Sequence, residues 1–295
     1  MFTKVWGSRG SIPTPGERTK KYGGNTSCVE CRIGDKIFVF DAGSGLRELG
    51  LSLMEEFKGK PITLHLFISH THWDHIQGFP FFIPFYVPNN NITIYGGAGF
   101  DKNLEHLLTN QMDSNYFPVG LGELSSNIKF VNLVGLPVYI DDAKLTTHYL
   151  NHPGLTLGFR IDYQGKTVVY ALDNEPYSDM FKLKNSDYTQ EDLEFSDSLE
   201  EKYIEFIHGA DILYADAQYT KEEYKKFIGY GHSFLDYTVG TAIKANVKKL
   251  IFFHHDPMHT DEIIDKYFDE WQNKLKEEGS NLILECAREG QIIEI

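Results

Sequence analysis

The sequence predicts an α/β (α+β) fold built from two β-sheets with outer helices. Three observations carry that prediction. Short apolar, β-branched-rich runs recur along the whole chain, helical periodicity is scarcer than strand patterning, and the two do not alternate as in a simple parallel βα fold.

Taken in order, strand patterns cover residues 26–33, 37–40, 64–68, 92–95, 128–131, 143–150, 155–161, 167–171, 212–214 and 250–253. Helical patterns cover 44–57, 101–110, 200–208, 233–245 and 261–278, the last with Thr260 at its N-cap and acidic residues in its first turn. The expected organisation is one domain, 1–295, with insertions at about 79–92 and 177–201. In the first, Pro80, Pro84 and Pro88 exclude a central strand and break any helix. Its aromatic residues suit core packing and an apolar wall for a planar ligand equally well. The second is acidic (Asp187, Glu191, Asp192, Glu194, Asp197, Glu200, Glu201) and reads as a solvated surface insertion.

A chain of 295 residues can bury a sizeable core. Its net charge of −14 repels polyanions, so an extended nucleic acid is an unlikely partner and a small molecule is favoured. Cys28 and Cys31 are three apart on a strand, which sends their thiols to opposite faces and suits ordinary reduced cysteines. The first residues lack the basic-then-apolar pattern of a signal peptide, and no apolar run reaches membrane-spanning length. A cytoplasmic protein with no membrane partner is expected; a homodimer is compatible with the sequence.

Chemistry concentrates in His70-Thr71-His72-Trp73-Asp74-His75, directly after the buried-strand pattern Ile62–Ile68. Three imidazoles and a carboxylate within six residues suit a divalent transition metal, and their crowding suggests two. Other ligands should also lie at strand ends. His152 stands in the turn Asn151-His152-Pro153-Gly154, Asp173 closes the run Val168–Leu172, and His254 and His255 close Leu250–Phe253. Each alone is weak, since strand ends often carry capping or surface polar groups. Together with the central motif they form a candidate site.

With these motifs, and with Trp6-Gly7-Ser8-Arg9-Gly10-Ser11-Ile12-Pro13 and His254-His255-Asp256-Pro257, the chain resembles the metallo-β-lactamase superfamily. The resemblance is to its phosphodiesterase branch, which contains ribonuclease Z and cyclic-phosphate phosphodiesterases. It implies a four-layer αββα sandwich with a binuclear site along one edge. Carried over by motif, His70, His72 and His152 would hold the first metal. Asp74, His75 and His254 would hold the second, with Asp173 bridging and Asp74 also serving catalysis. His255 competes for the last position, but His254 directly follows the strand. Retention of His72, where di-iron members carry Glu, favours two zinc ions, with manganese or iron as alternatives. The branch further implies that Asp216, at the end of 212–215, orients His232 to protonate the departing alkoxide. Ribonuclease Z presents Glu there, so Asp216 is a departure. In the resembling family the glycine-rich segments 22–27 and 41–45 lie near the site; from the residues alone, sharp turns explain them.

Two divalent ions, less two aspartates and a bridging hydroxide, leave about one positive charge for a phosphodiester monoanion. The acidic surface and the aromatic residues of 79–86 and Tyr116-Phe117-Pro118, which could stack a base, point to a small cyclic nucleotide or related cyclic phosphodiester. Ribonuclease Z-like processing of RNA 3′ ends, hydrolysis of a carboxylester, thioester or lactone, and non-catalytic sensing by a metal-bound ligand are the alternatives.

Overall fold

The computed structural model describes residues 1–97, 103–133, 135–179 and 189–295. They form two compact units, Met1–Val134 with Arg288–Ile295, and Gly135–Ala287. Asp101 and Asp187 lie outside the described residues.

In the first unit, β1 (Phe2–Gly7), β2 (Cys28–Ile33) and β3 (Lys36–Phe40) form an antiparallel meander. Helix α1 (Gly45–Phe57) leads to β4 (Thr63–Ile68), and the single turn α2 (Trp73–Ile76) follows. Then come β5 (Asn91–Gly97), α3 (Leu104–Gln111) and β6 (Asn127–Leu133). Strands β3 to β6 pair in parallel, and the C-terminal strand (Ile292–Glu294) adds antiparallel to β1. The second unit contains β7 (Val138–Ile140), β8 (Ala143–Tyr149), β9 (Leu157–Tyr163) and β10 (Lys166–Ala171), again an antiparallel meander. Helix α4 (Gln190–Ile207), β11 (Ile212–Asp216), α5 (Lys221–Tyr224), α6 (Leu235–Lys244), β12 (Lys249–Phe253), α7 (Asp261–Glu277) and β13 (Ile283–Cys286) follow. Strands β10 to β13 are parallel.

Each unit thus holds a seven-stranded sheet in which a meander gives way to parallel strands. The parallel strands β3, β4, β11 and β12 are buried almost end to end, which is why they read as unbroken apolar runs instead of alternating ones. Their carboxyl ends are where open α/β sheets gather chemistry.

The segment after α2 resolves the ambiguity over its aromatic residues. Two 3₁₀ turns, Phe79–Phe81 and Ile83–Tyr86, bring Phe79, Phe82 and Phe85 to one face, and all three join the core cluster with Leu46, Leu49 and Leu53. A period of three superposes every third side chain. Phe81 and Ile83 point outward. Packing therefore accounts for most of this stretch.

Helix α4 starts ten residues earlier than the expected 200–208. Thr189 accepts the N–H of Asp192 while the Asp192 carboxylate accepts the N–H of Thr189, a reciprocal cap. Acidic residues in the first turn favour the helix through its dipole, so their density marked a helix start. Thr260 does occupy the N-cap of α7, but its side chain makes no cap hydrogen bond. Cys28 and Cys31 are buried free thiols. Among the described residues no helix is long and apolar enough to cross a membrane.

Candidate metal centre

In the first unit the chemistry sits at the ends of β3 and β4. Asp41 follows β3 with φ 60°, a left-handed backbone that non-glycine residues adopt at a cost. Its carboxylate accepts the N–H (2.7 Å) and hydroxyl (2.8 Å) of Ser69, and lies 2.7 Å from His75 Nδ1. Already accepting two hydrogen bonds from Ser69, the Asp41 carboxylate is placed to accept the Nδ1–H of His75 as well, which leaves Nε2 as the donor atom of His75. Asp74 follows the same logic at a carboxylate: its Oδ2 accepts the Ser11 N–H at 2.7 Å and lies 3.3 Å from His75 Nε2. The His70 ring meets that of His72 edge-on at 4.5 Å and lies tilted against that of His75 at 4.2 Å. His70, Asp74 and His75 are buried, and His72, at the N-cap of α2, is exposed. Gly43 is required by contact, since a Cβ there would stand 2.4 Å from the Asp74 carbonyl oxygen.

In the second unit four side chains converge from the ends of β10, β11 and β12 and from the loop before α6. Asp173, Asp216, His232 and His254 each offer a ligand atom within 4.8 Å of the others. His152, in the turn after β8, places Nε2 3.7 Å from Asp173 Oδ2, and His254 places Nε2 3.3 Å from Asp173 Oδ1. Their Nδ1 atoms are engaged by oxygens that can only accept: the Gly231 carbonyl at 2.8 Å for His152 and Gln218 Oε1 at 2.7 Å for His254. Gln218 is itself oriented, its amide nitrogen donating to Asp256 Oδ2 at 3.2 Å. His232 Nδ1 lies 2.8 Å from Asp216 Oδ2, and its ring stacks on His254 at 4.8 Å. His255 turns elsewhere, with Nε2 on the Ala287 carbonyl at 2.9 Å and Nδ1 3.2 Å from the Tyr267 hydroxyl.

The residues fit divalent ions by the chemistry of their donors. His75, His152 and His254 are each held as the Nδ1–H tautomer by an outer oxygen, the arrangement that orients imidazoles for a metal through Nε2. Two of those outer residues, Asp41 and Gln218, escaped the sequence reading. Asp41 carried a signal, a carboxylate ending an apolar strand, but it stood in a segment read as a turn. Gln218 carried none.

Residues 37–255 match the family model described as Beta-lactamase superfamily domain. The chain belongs to the metallo-β-lactamase superfamily. A ribonuclease Z from Staphylococcus carnosus is 23% identical over 93% of this chain and 94% of its own length. A second, from Macrococcus caseolyticus, is 25% identical over 71% and 76%. The structure of unliganded yeast PDE1 superposes with a TM-score of 0.68 at 14% identity, covering 100% of this chain and 99% of that one. The superfamily's α/β sandwich is thereby the fold, as expected, and the chain is a metal-dependent hydrolase of the phosphodiesterase branch. One expectation is overturned. Relatives that align along most of the chain carry the name ribonuclease Z, against the expectation that an extended nucleic acid is an unlikely partner. Net charge is a sum over the whole molecule and does not locate the surface that meets a substrate.

Proposed function

We propose that the chain hydrolyses a small cyclic nucleotide or related cyclic phosphodiester at a binuclear centre. In this reading His70, His72 and His152 hold one divalent ion, Asp74, His75 and His254 hold the other, and Asp173 bridges. Zinc suits the imidazole-rich donors, with manganese or iron as alternatives. Bound there, the ions would supply activated water and charge neutralisation for the phosphoryl oxygens.

The observation that carries the reading is the pair Asp216–His232, beside Asp173 and His254. Acyl transfer at a metal centre has no fixed need for a separate acid, whereas expelling an alkoxide from phosphorus does. With Nδ1–H donated to Asp216, His232 can carry its second proton on Nε2, and the carboxylate stabilises the imidazolium. On bond cleavage that Nε2 proton passes to the leaving oxygen. Asp216 Oδ1 is meanwhile fixed by the Gln218 N–H at 3.0 Å, so the carboxylate is positioned before substrate arrives.

A second reading, processing of RNA 3′ ends, keeps all of these roles and is favoured by the names of the relatives. Assay of the zinc-loaded protein against 3′,5′- and 2′,3′-cyclic nucleotides, precursor transfer RNA and a thioester separates the readings. Conversion of a cyclic nucleotide to its monophosphate is the expected result. Endonucleolytic cleavage of the precursor alone would move the assignment to RNA. Thioester turnover without phosphodiester hydrolysis would refute both.

A further inference from the structure

We infer that Glu175 is a positioning residue for His152 and His232, acting through the backbone of Gly231. The inference rests on the roles proposed for those two histidines. Glu175 is buried in the turn after β10, two residues beyond Asp173. Its Oε1 accepts the Gly229 N–H at 2.5 Å and its Oε2 accepts the Gly231 N–H at 3.1 Å. The carbonyl of Gly231, which belongs to the peptide leading into His232, in turn faces His152 Nδ1 at 2.8 Å. One carboxylate therefore fixes the loop residue whose oxygen sets the tautomer of one histidine and whose chain direction aims the next.

Neighbouring contacts reinforce the same clasp. Glu175 N–H donates to the Asn151 carbonyl at 2.8 Å, and Asn174 Oδ1 accepts the Asn151 N–H at 2.9 Å. The Ser233 hydroxyl donates to the Asn174 carbonyl. Asn174 and Glu175 thus fasten the turn carrying His152 and the loop carrying His232 to the strand end carrying Asp173. At Gly231 (φ 85°) a Cβ would meet His152 Nδ1 at 2.1 Å, so the loop lies against the imidazole with no room for a side chain. A glycine-rich loop is intrinsically loose. Burying a carboxylate is costly without several donors, and here its donors are the Gly229 and Gly231 N–H groups of that loop together with the Tyr224 hydroxyl, which donates to Oε1 at 2.9 Å.

The test compares Glu175→Gln and Glu175→Asp for zinc affinity by chelator competition. It also compares their hydrolysis of an alkoxide-leaving phosphodiester with that of a nitrophenyl one. The Gln variant turns an amide NH₂ toward one of the two backbone donors. It should bind zinc about 10–100-fold more weakly and lose more rate on the alkoxide substrate than on the nitrophenyl one. The Asp variant keeps both acceptor oxygens and should lose less on both counts. Wild-type zinc affinity in Glu175→Gln, with equal losses on the two substrates, would overturn the inference. If the wild type hydrolysed no phosphodiester, the functional proposal would fail while zinc affinity still decided the role of Glu175. Should the Gln variant not fold, amide exchange on the wild type decides. Strong protection of the Gly229 and Gly231 N–H groups is expected, and exchange at open-loop rates would contradict the clasp.

Discussion

His254 and Asp173 face each other across 3.3 Å, Nε2 to Oδ1, and both adopt left-handed backbone, at φ 61° and 58°. Each immediately follows or nearly follows a parallel strand, and each left-handed residue costs on the order of 1–3 kcal/mol. That cost is concentrated where two donor atoms are brought together. His255, one residue further, spends both ring nitrogens on Ala287 and Tyr267. His254→Ala should therefore remove a metal and nearly all activity. His255→Ala should keep the metals and lower stability by about 1–3 kcal/mol, the cost of orphaning its buried partners. Elemental analysis with thermal unfolding of both variants checks this; the reverse pattern would shift the ligand by one position.

Metal content follows from the donor count. Seven proposed ligands should bring the purified protein close to two equivalents of zinc, manganese or iron. Removal by a chelator should abolish hydrolysis and lower the melting temperature, because an ion bound only by the native state stabilises it by mass action. Full activity at one equivalent or less would end the binuclear reading.

The pH dependence of stability has an identifiable contributor outside the centre. Burial, with Lys202 adding to it, lowers the His148 imidazole from 6.5 to about 4, and its ring stacks on Phe206 at 5.1 Å. A depressed folded value means the unfolded chain takes up the proton first. The contribution of His148 is thus fully present above about pH 6.5 and is lost as pH falls towards 4. It amounts to roughly 2–3 kcal/mol after allowance for partial solvent exposure. His148→Phe keeps the stacking and removes the titration. Denaturant unfolding of metal-free protein between these pH values should show a shallower decline for the variant, and parallel curves would contradict it.

What could be read from the chain depended on how local each signal was. His70, His72, Asp74 and His75 declare themselves because four donors crowd one loop. Asp173 and His254 stand out because a polar residue abruptly ends an apolar strand. Asp216 and His232 are sixteen residues apart, and the family resemblance was needed to join them. Asp41, Gln218 and Glu175 act on other side chains or on backbone N–H groups distant in sequence. Each is an ordinary polar residue until the fold supplies its partner. The start of α4 was missed for a different reason: its acidic residues resemble solvated surface unless Thr189 and Asp192 are recognised as a reciprocal cap.

The most direct measurement compares His232→Ala with wild type on two phosphodiesters, one with an alkoxide and one with a nitrophenolate leaving group. If His232 is the acid, the variant keeps its metals and melting temperature, and slows the alkoxide substrate by about 10²–10⁴. The nitrophenolate, which departs without a proton, should be far less affected. Asp216→Asn should show the same selectivity in weaker form, since it misorients the imidazole without removing it. Equal losses on the two substrates, at unchanged metal content and stability, would contradict the acid role and remove the observation on which the proposed function rests.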